Sequence, residues 1–409
     1  MTTRFGHRAV GVAGALVLAL ASPASLHVGA QTRSSETASP PAGWVFTPGI
    51  SVGQTYDNNV LLATQGNEHI TDFLTAVSPR GALAFRGRRD TFSLDYRGSF
   101  QIYQELSELN AFDQRGSVSY VHRFSPSLNF FARNSVSRSP TTDDIDVPGV
   151  QFRRQGVLLN DFRSGFDKRF TQRSSMTAAY TYQYIRFDDE DVLVDTLRRG
   201  GYGHGGSVQY GYRLQPRVSV GGEYDMRRGT VDQTEEFDVM NALATVDWRL
   251  TQRVDLSGGF GLSWLKTGRD EQRHTAPAFR VSLSGSGQRV GWNVGYRRSF
   301  LPSFGFGGTF QNQEFQANAF ALLTRRLDIS GSFAVRENDP LNNTDPLVTA
   351  NVGLQSVWTR TSISYLATRW MRIEGFYIAV FQDSQRPGGE VNRSRVGVQV
   401  ATSTRMRIR

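Results

Sequence analysis

The chain has 409 residues, with 46 Lys and Arg against 37 Asp and Glu, a formal charge of +9, and no cysteine. That excludes a disulfide framework, a thiolate metal site and a lipidated cysteine. The mean hydropathy of −0.38 matches a soluble protein, but a membrane barrel escapes that test because inward polar residues dilute its apolar ones. Lys168 and Lys266 are the only lysines. Almost all positive charge is therefore guanidinium, which makes planar contacts with carboxylate and phosphate.

Residues 1–30 read as a secretory leader: Arg4, His7 and Arg8 precede an apolar run over 9–21, and small residues Val28, Gly29 and Ala30 end it. Its removal takes away two arginines and no acid, so +9 becomes +7. Residues 31–43, rich in Ser, Thr and Pro, read as a flexible periplasmic lead-in. No later apolar run approaches the ~18 residues a transmembrane helix needs.

From Trp44 onward, residues alternate with a period of two, which puts side chains on opposite faces of a strand. The first strand is expected at 45–56, with a polar segment at 57–71. Strand pairs follow at 73–85 and 91–103, 118–124 and 128–136, and 158–170 and 176–184. The clearest pair is 208–214 and 218–226, broken at Gln215-Pro216-Arg217, where Pro needs no ladder donor. Further pairs lie at 237–250 and 254–264, 279–285 and 290–296, 315–323 and 327–335, and 348–365 and 371–381. Residues 396–408 close the chain. Periodicity is poor at 307–313 and changes phase at 358–361, where a bulge is expected.

The tight breaks share a signature: Arg123-Phe-Ser-Pro, Arg169-Phe-Thr-Gln-Arg, Arg213-Leu-Gln-Pro-Arg and Arg249-Leu-Thr-Gln-Arg. They recur roughly 35 to 46 residues apart, one strand pair each. Longer polar connections at 139–155, 188–201, 268–274, 338–346 and 383–392 fall between them. Eight tight turns on one side and long loops on the other imply an all-β, antiparallel transmembrane barrel of about 18 strands, with 16 as the alternative, in a bacterial outer membrane. A soluble propeller or sandwich would carry apolar residues on both faces. Here Phe92, Leu94, Tyr96, Phe100 and Ile102 share one face, while Thr91, Ser93, Asp95, Arg97, Ser99 and Gln101 share the other. A dry core does not accept that second face.

The first strand ends Thr55-Tyr56-Asp57-Asn58-Asn59-Val60. This resembles the Tyr-Asp-Asp-Asn-Val motif at the first strand end of β-barrel porin family 2, a group that includes barrels associated with exopolysaccharide biosynthesis. The repeated turns and Asn392-Arg393-Ser394-Arg395-Val396 resemble that family too, over about residues 44–409. The resemblance implies an outer-membrane pore concerned with polysaccharide export or surface assembly. One departure is the ending Met406-Arg407-Ile408-Arg409, where such barrels carry an aromatic residue.

Arg80, Arg97, Arg133, Arg163, Arg213, Arg227, Arg297, Arg372, Arg395 and Arg405 fall in the lumen-facing register, interleaved with Asp95, Asp161, Glu223, Asp225, Asp247, Asp255 and Glu374. An arginine excess in a watery lumen favours anions; alternatively these charges pair across strands and stiffen the wall. The rim motif Tyr56, Asp57, Asn58 and Asn59 fits Asx-turns that end the strand. Asp143-Asp144-Ile145-Asp146 and Asp188-Asp189-Glu190-Asp191 read as solvated outer loops, lacking the spacing of a dedicated Ca²⁺ loop. Gly200–Gly206 reads as a loop before a strand rather than a nucleotide site. Histidines 69, 122, 204 and 274 show no ligand spacing, and there is no nucleophile elbow or phosphate-cradling loop. No enzyme, metal or cofactor is expected. Expected partners are outer-membrane lipid and lipopolysaccharide, anionic polysaccharide and export-machinery proteins; no basic patch fits nucleic acid. The leading expectation is a pore for solute passage or exopolysaccharide export. The rival is a non-conducting structural barrel anchoring a surface assembly, favoured if inward loops plug the lumen.

Overall fold

The computed structural model describes residues 43–144, 150, 152, 154–188, 200–231, 235–267, 273–302, 304, 309–340, 353–384 and 389–408. The expected leader at 1–30 and all but the last residue of the expected lead-in lie outside them. So do Asp146 and the acidic residues 189–191.

The strands are β1 (Gly43–Asp57), β2 (Asp72–Arg86), β3 (Asp90–Tyr103), β4 (Ala111–Ser125), β5 (Leu128–Ser139) and β6 (Val157–Arg169). Next come β7 (Ser174–Phe187), β8 (Gly201–Gln215), β9 (Val218–Val231), β10 (Glu235–Arg249), β11 (Val254–Thr267) and β12 (Arg273–Ser286). The chain finishes with β13 (Val290–Pro302), β14 (Thr309–Leu322), β15 (Leu327–Pro340), β16 (Leu354–Thr368), β17 (Met371–Asp383), β18 (Glu390–Ser403) and the short β19 (Met406–Ile408). From β1 to β18 each strand pairs antiparallel with the next in sequence. β1 pairs with β2 on one side; on the other it pairs with β18 from Gly49 to Asp57 and with β19 from Trp44 to Phe46. β19 therefore continues β18 after a two-residue break, and the sheet closes into an 18-stranded barrel.

Hydroxyl side chains hold five of the eight tight turns, at Ser125, Thr171, Thr251, Thr324 and Thr368. Thr171 Oγ1 accepts from the Arg173 and Ser174 amides, and Thr324 Oγ1 from those of Arg326 and Leu327. Thr251 does the same for Arg253, and Ser125 for Ser127. These are ST-turns, the physical content of the recurring Arg-x-Ser/Thr signature.

The outward register is apolar and exposed, including Ile50, Val52, Leu94, Val208, Phe260, Leu262, Val281 and Val398. Aromatics flank it at both ends. Trp44, Phe85, Phe92 and Trp248 stand near the tight turns, and Tyr56, Phe73, Tyr184, Tyr202 and Trp264 near the long connections. A closed barrel with an apolar band between aromatic girdles is an outer-membrane structure, with its short turns toward the periplasm. Closure leaves no unpaired strand edge, as hydrocarbon surroundings require.

The fold departs from sequence expectation in three places. The strands run longer: β4 starts at Ala111 rather than 118, β12 at Arg273 rather than 279, and β18 at Glu390 rather than 396. The glycine-rich stretch is strand, since β8 begins at Gly201. No bulge occurs at 358–361; register shifts fall instead at Arg123/Ser125, Arg213/Gln215 and Leu366/Thr368, all beside tight turns. Trp358 simply faces inward, opposite Ala334 and Val380, and that apolar inward residue is what disturbs the expected phase.

Candidate functional site: a lumen with one arginine wall and an inward loop

The inward face of β2–β9 carries cations directly opposite cations. Arg80 pairs in register with Arg97, Arg97 with Arg115, and Arg133 with Arg163. Like charges in such positions destabilise a sheet unless water or an anion lies between them. Arg115 is held by Asp113 at 3.3 Å. Among the described residues Arg80, Arg97, Arg133, Arg163 and Arg227 have no ion-pair partner. Arg133 and Arg163 flank the Phe131 ring, at 6.0 and 5.9 Å from its centroid. Arg80, Arg97, Arg133 and Arg163 are exposed to water inside the barrel. Arg213 stands on the same face near the β8–β9 turn.

The facing wall is neutralised. Arg297 and Arg336 both bind Glu314, at 2.7 and 3.0 Å. Arg360 binds Glu374 at 2.9 Å, and Arg372 binds Asp328 at 3.1 Å. Arg280 of β12 reaches past two strands to grip Glu223 of β9 with both nitrogens, at 3.0 and 2.6 Å. The other acids are hydrogen-bonded along the wall: Asp161 to Gln183, Asp225 to Asn241 and Asp247 to Ser257. Cross-strand pairing therefore describes Arg297 and Arg372 but not the β2–β9 arginines. Arg405 lies in the break between β18 and β19, outside both ladders.

The β5–β6 connection does not project outward. Its 3-10 turn (Thr142–Asp144) lies against the first and last strands, which corrects the reading of Asp143 and Asp144 as a solvated outer loop. Arg393 bridges Asp57 at 3.0 Å and Asp143 at 2.8 Å, and Arg395 binds Asp144 at 2.8 Å. The Arg393 and Asp57 side chains are 2% and 0% exposed. Burial opposes ionisation of Asp144, but Arg395 beside it, then Arg393 and Arg115, holds its carboxyl well below the usual carboxylate range. Further along the loop, Phe152 N donates to Gln382 Oε1 (2.7 Å), and Gln382 Nε2 donates to Val150 O (3.1 Å). Phe152 packs on Ile378 and Val380, with Trp358 and Phe376 alongside. Arg154 returns to Tyr103, stacked at 4.9 Å and donating to its hydroxyl. The described residues of the loop thus touch β1, β17 and β18 and, at Arg154, β3, all on the inward side near the mouth.

A second inward mass adjoins it. Val157, Ile185, Phe187, Val231, Phe237, Val239 and Leu265 face inward at the loop-side ends of their strands and form one cluster with Val150, Phe300 and Phe304. β13 stops pairing with β12 at Arg298, and the Phe300 amide then donates to Ser263 of β11. Its end has folded inward over the neighbouring strands.

The rim motif acts as a clasp. Asp57 Oδ1 accepts from Asn59 N (3.1 Å), an Asx-turn, while Asp57 also takes Arg393. Asn58 Oδ1 accepts from Ser394 N, and Asn59 Nδ2 donates to Asn392 O. Tyr56 is on the lipid face beside Phe73. Sequence reasoning missed Asp57–Arg393, Arg115, Glu314, Arg280 and Arg336 as inward groups. Extending the period-two register a few residues toward the loops would have found several of them.

No protein-family model matches the chain, and no curated protein does. Neither comparison confirms the resemblance to β-barrel porin family 2. Among solved structures, the chain is similar to Pseudomonas aeruginosa OpdO, at 11% identity and TM-score 0.45 over 89% of this chain and 98% of that one. It is similar to Acinetobacter baumannii OccAB4, at 8% identity and TM-score 0.45 over 89% and 98%. It is also similar to P. aeruginosa OprD, at 9% and 0.43 over 88% and 95%.

Proposed function

We propose that this barrel is a porin-like outer-membrane channel that favours anionic solutes. The observation that carries the reading is the run of cross-strand arginine pairs, Arg80–Arg97 and Arg133–Arg163, exposed on the inward face with no ion-pair partner among the described residues. Such a wall draws carboxylates or phosphates into the lumen by their charge. The acids at its margin, Asp95 and Asp161, keep binding weak enough for release. Acidic sugars belong to the solute class, and the family resemblance adds exopolysaccharide export to the candidates.

The inward β5–β6 loop and the apolar cluster beside it favour a second reading, a structural barrel that conducts nothing. Planar-bilayer recording on the purified protein under a salt gradient separates the two. The channel reading expects stable steps with a reversal potential biased toward anions. It also expects that bias to vanish, with steps retained, when Arg80, Arg97, Arg133 and Arg163 become Gln. Silence from protein shown by heat-shifted gel mobility to be folded would leave the structural barrel.

A further inference from the structure

Among the described residues, the outward face carries Lys and Arg at the loop-side strand ends along one arc only. At the loop-side ends of the strands, Arg186, Arg228, Lys266 and Arg273 lie on the lipid-facing register and are exposed. Arg228 among them is engaged with Glu236 and Asp238, and the flanking Arg138 and Arg298 with Asp188 and Gln311. The rest of the perimeter, β14 through β18 and β1 through β4, has no outward Lys or Arg at that end among the described residues. It presents Gln311, Gln313, Gln355 and Asn392 and the acids Glu337, Asp339, Asp383 and Glu390 instead.

Two details make this arc more than scattered surface charge. Lys266 and Arg273 are direct cross-strand partners with no ion pair among the described residues; Asp238, opposite Lys266 on its other side, is engaged by Arg228. Left alone, such a pair costs stability; an anion between them removes the cost. Arg273 also lies over the Trp264 ring at 5.3 Å, which fixes the guanidinium at the edge of the aromatic girdle. Cations there are at headgroup depth, where a charge on the lipid face costs little.

We infer that this arc binds the phosphate groups of a phosphorylated glycolipid of the outer leaflet, lipopolysaccharide, through direct arginine and lysine contacts. The ligand must bring phosphate to the headgroup plane and acyl chains to the apolar belt below, which a free anion does not. The inference is independent of whether the lumen conducts. It also differs from a divalent bridge through acidic loops, because the groups concerned are cations.

Native mass spectrometry of the purified full chain, titrated with diphosphoryl lipid A and with its dephosphorylated form, tests it. We expect the diphosphoryl form to bind preferentially, to survive EDTA, and to bind about tenfold or more weakly to Lys266→Gln/Arg273→Gln. Arg325→Gln/Arg326→Gln, in the β14–β15 turn, should bind like the parent. Equal binding of the dephosphorylated lipid, an unchanged double variant, or stripping by EDTA would overturn the inference. If the variant fails to fold, the unaltered protein still decides. Its two lysines can be labelled with an amine reagent, and bound diphosphoryl lipid should slow Lys266 several-fold while sparing Lys168. No slowing, or equal slowing of both, counts against the arc.

Discussion

Arg393 serves two carboxylates, Asp57 and Asp143, in a site closed to water, with Arg395 reaching Asp143 at 3.4 Å. Removing one member of a buried ion pair leaves the others uncompensated, at about 3–5 kcal/mol. Arg393→Met should therefore lower markedly the temperature at which the folded, heat-modifiable band is lost. Arg249→Gln breaks a pair exposed on both sides and should cost at most about 1 kcal/mol; equal shifts would mean that the latch contributes no special stability. The same site sets a pH response. Because Asp144 is more acidic folded than unfolded, its contribution is complete above the ordinary carboxylate value of about 3.9. It is lost only as pH falls from there through the folded value. Single-channel traces should look alike at pH 7 and pH 5, and a loop that detaches between those values would contradict this assignment.

At the scale of the strand, β8 shows why so much glycine sits in regular sheet. A Cβ added at Gly205, on the inward face, would run into the carbonyl oxygen of Met226 on β9. At Gly206, on the outward face, the nearest atom is 3.8 Å away, Ala179 O. Gly205→Ala should cut the yield of folded barrel on a heat-shift gel several-fold, whereas Gly206→Ala should fold like the parent. If the neighbours behave alike, the close approach of the two backbones is not the reason for glycine there. Strand count, tight turns and the lipid face were legible in the sequence because lipid imposes strict alternation and most of the turns repeat one hydroxyl device. The strand ends were not, because beyond the girdles neither face need be apolar, so Asp113 at the start of β4 and Arg393 in β18 carry no periodic signal. Inward-facing Phe237, Leu265 and Trp358 break the alternation instead, since it is inward-folded loop and strand-end residues that cover them, and alternation along a strand carries no information about a loop's path.

For the whole molecule, the governing arrangement is a cationic inner wall on β2–β9 below a mouth that holds a latched loop and, at the loop-side ends of β6–β11, an apolar cluster. Asp143→Ala/Asp144→Ala should release the loop's hold on Arg393 and Arg395 and give larger, noisier steps in planar bilayers. Steps of unchanged size would mean that the loop does not limit the passage. The latch joins residues 57, 143 and 393, so two of its three members are made early and the last belongs to the eighteenth strand. Zipping the seam and stowing the loop are consequently a single late event. Until the final strand arrives, the cylinder is both open along one side and unguarded at its mouth, so a protease added during insertion should find the β5–β6 connection cleavable in every intermediate and protected only in the finished product.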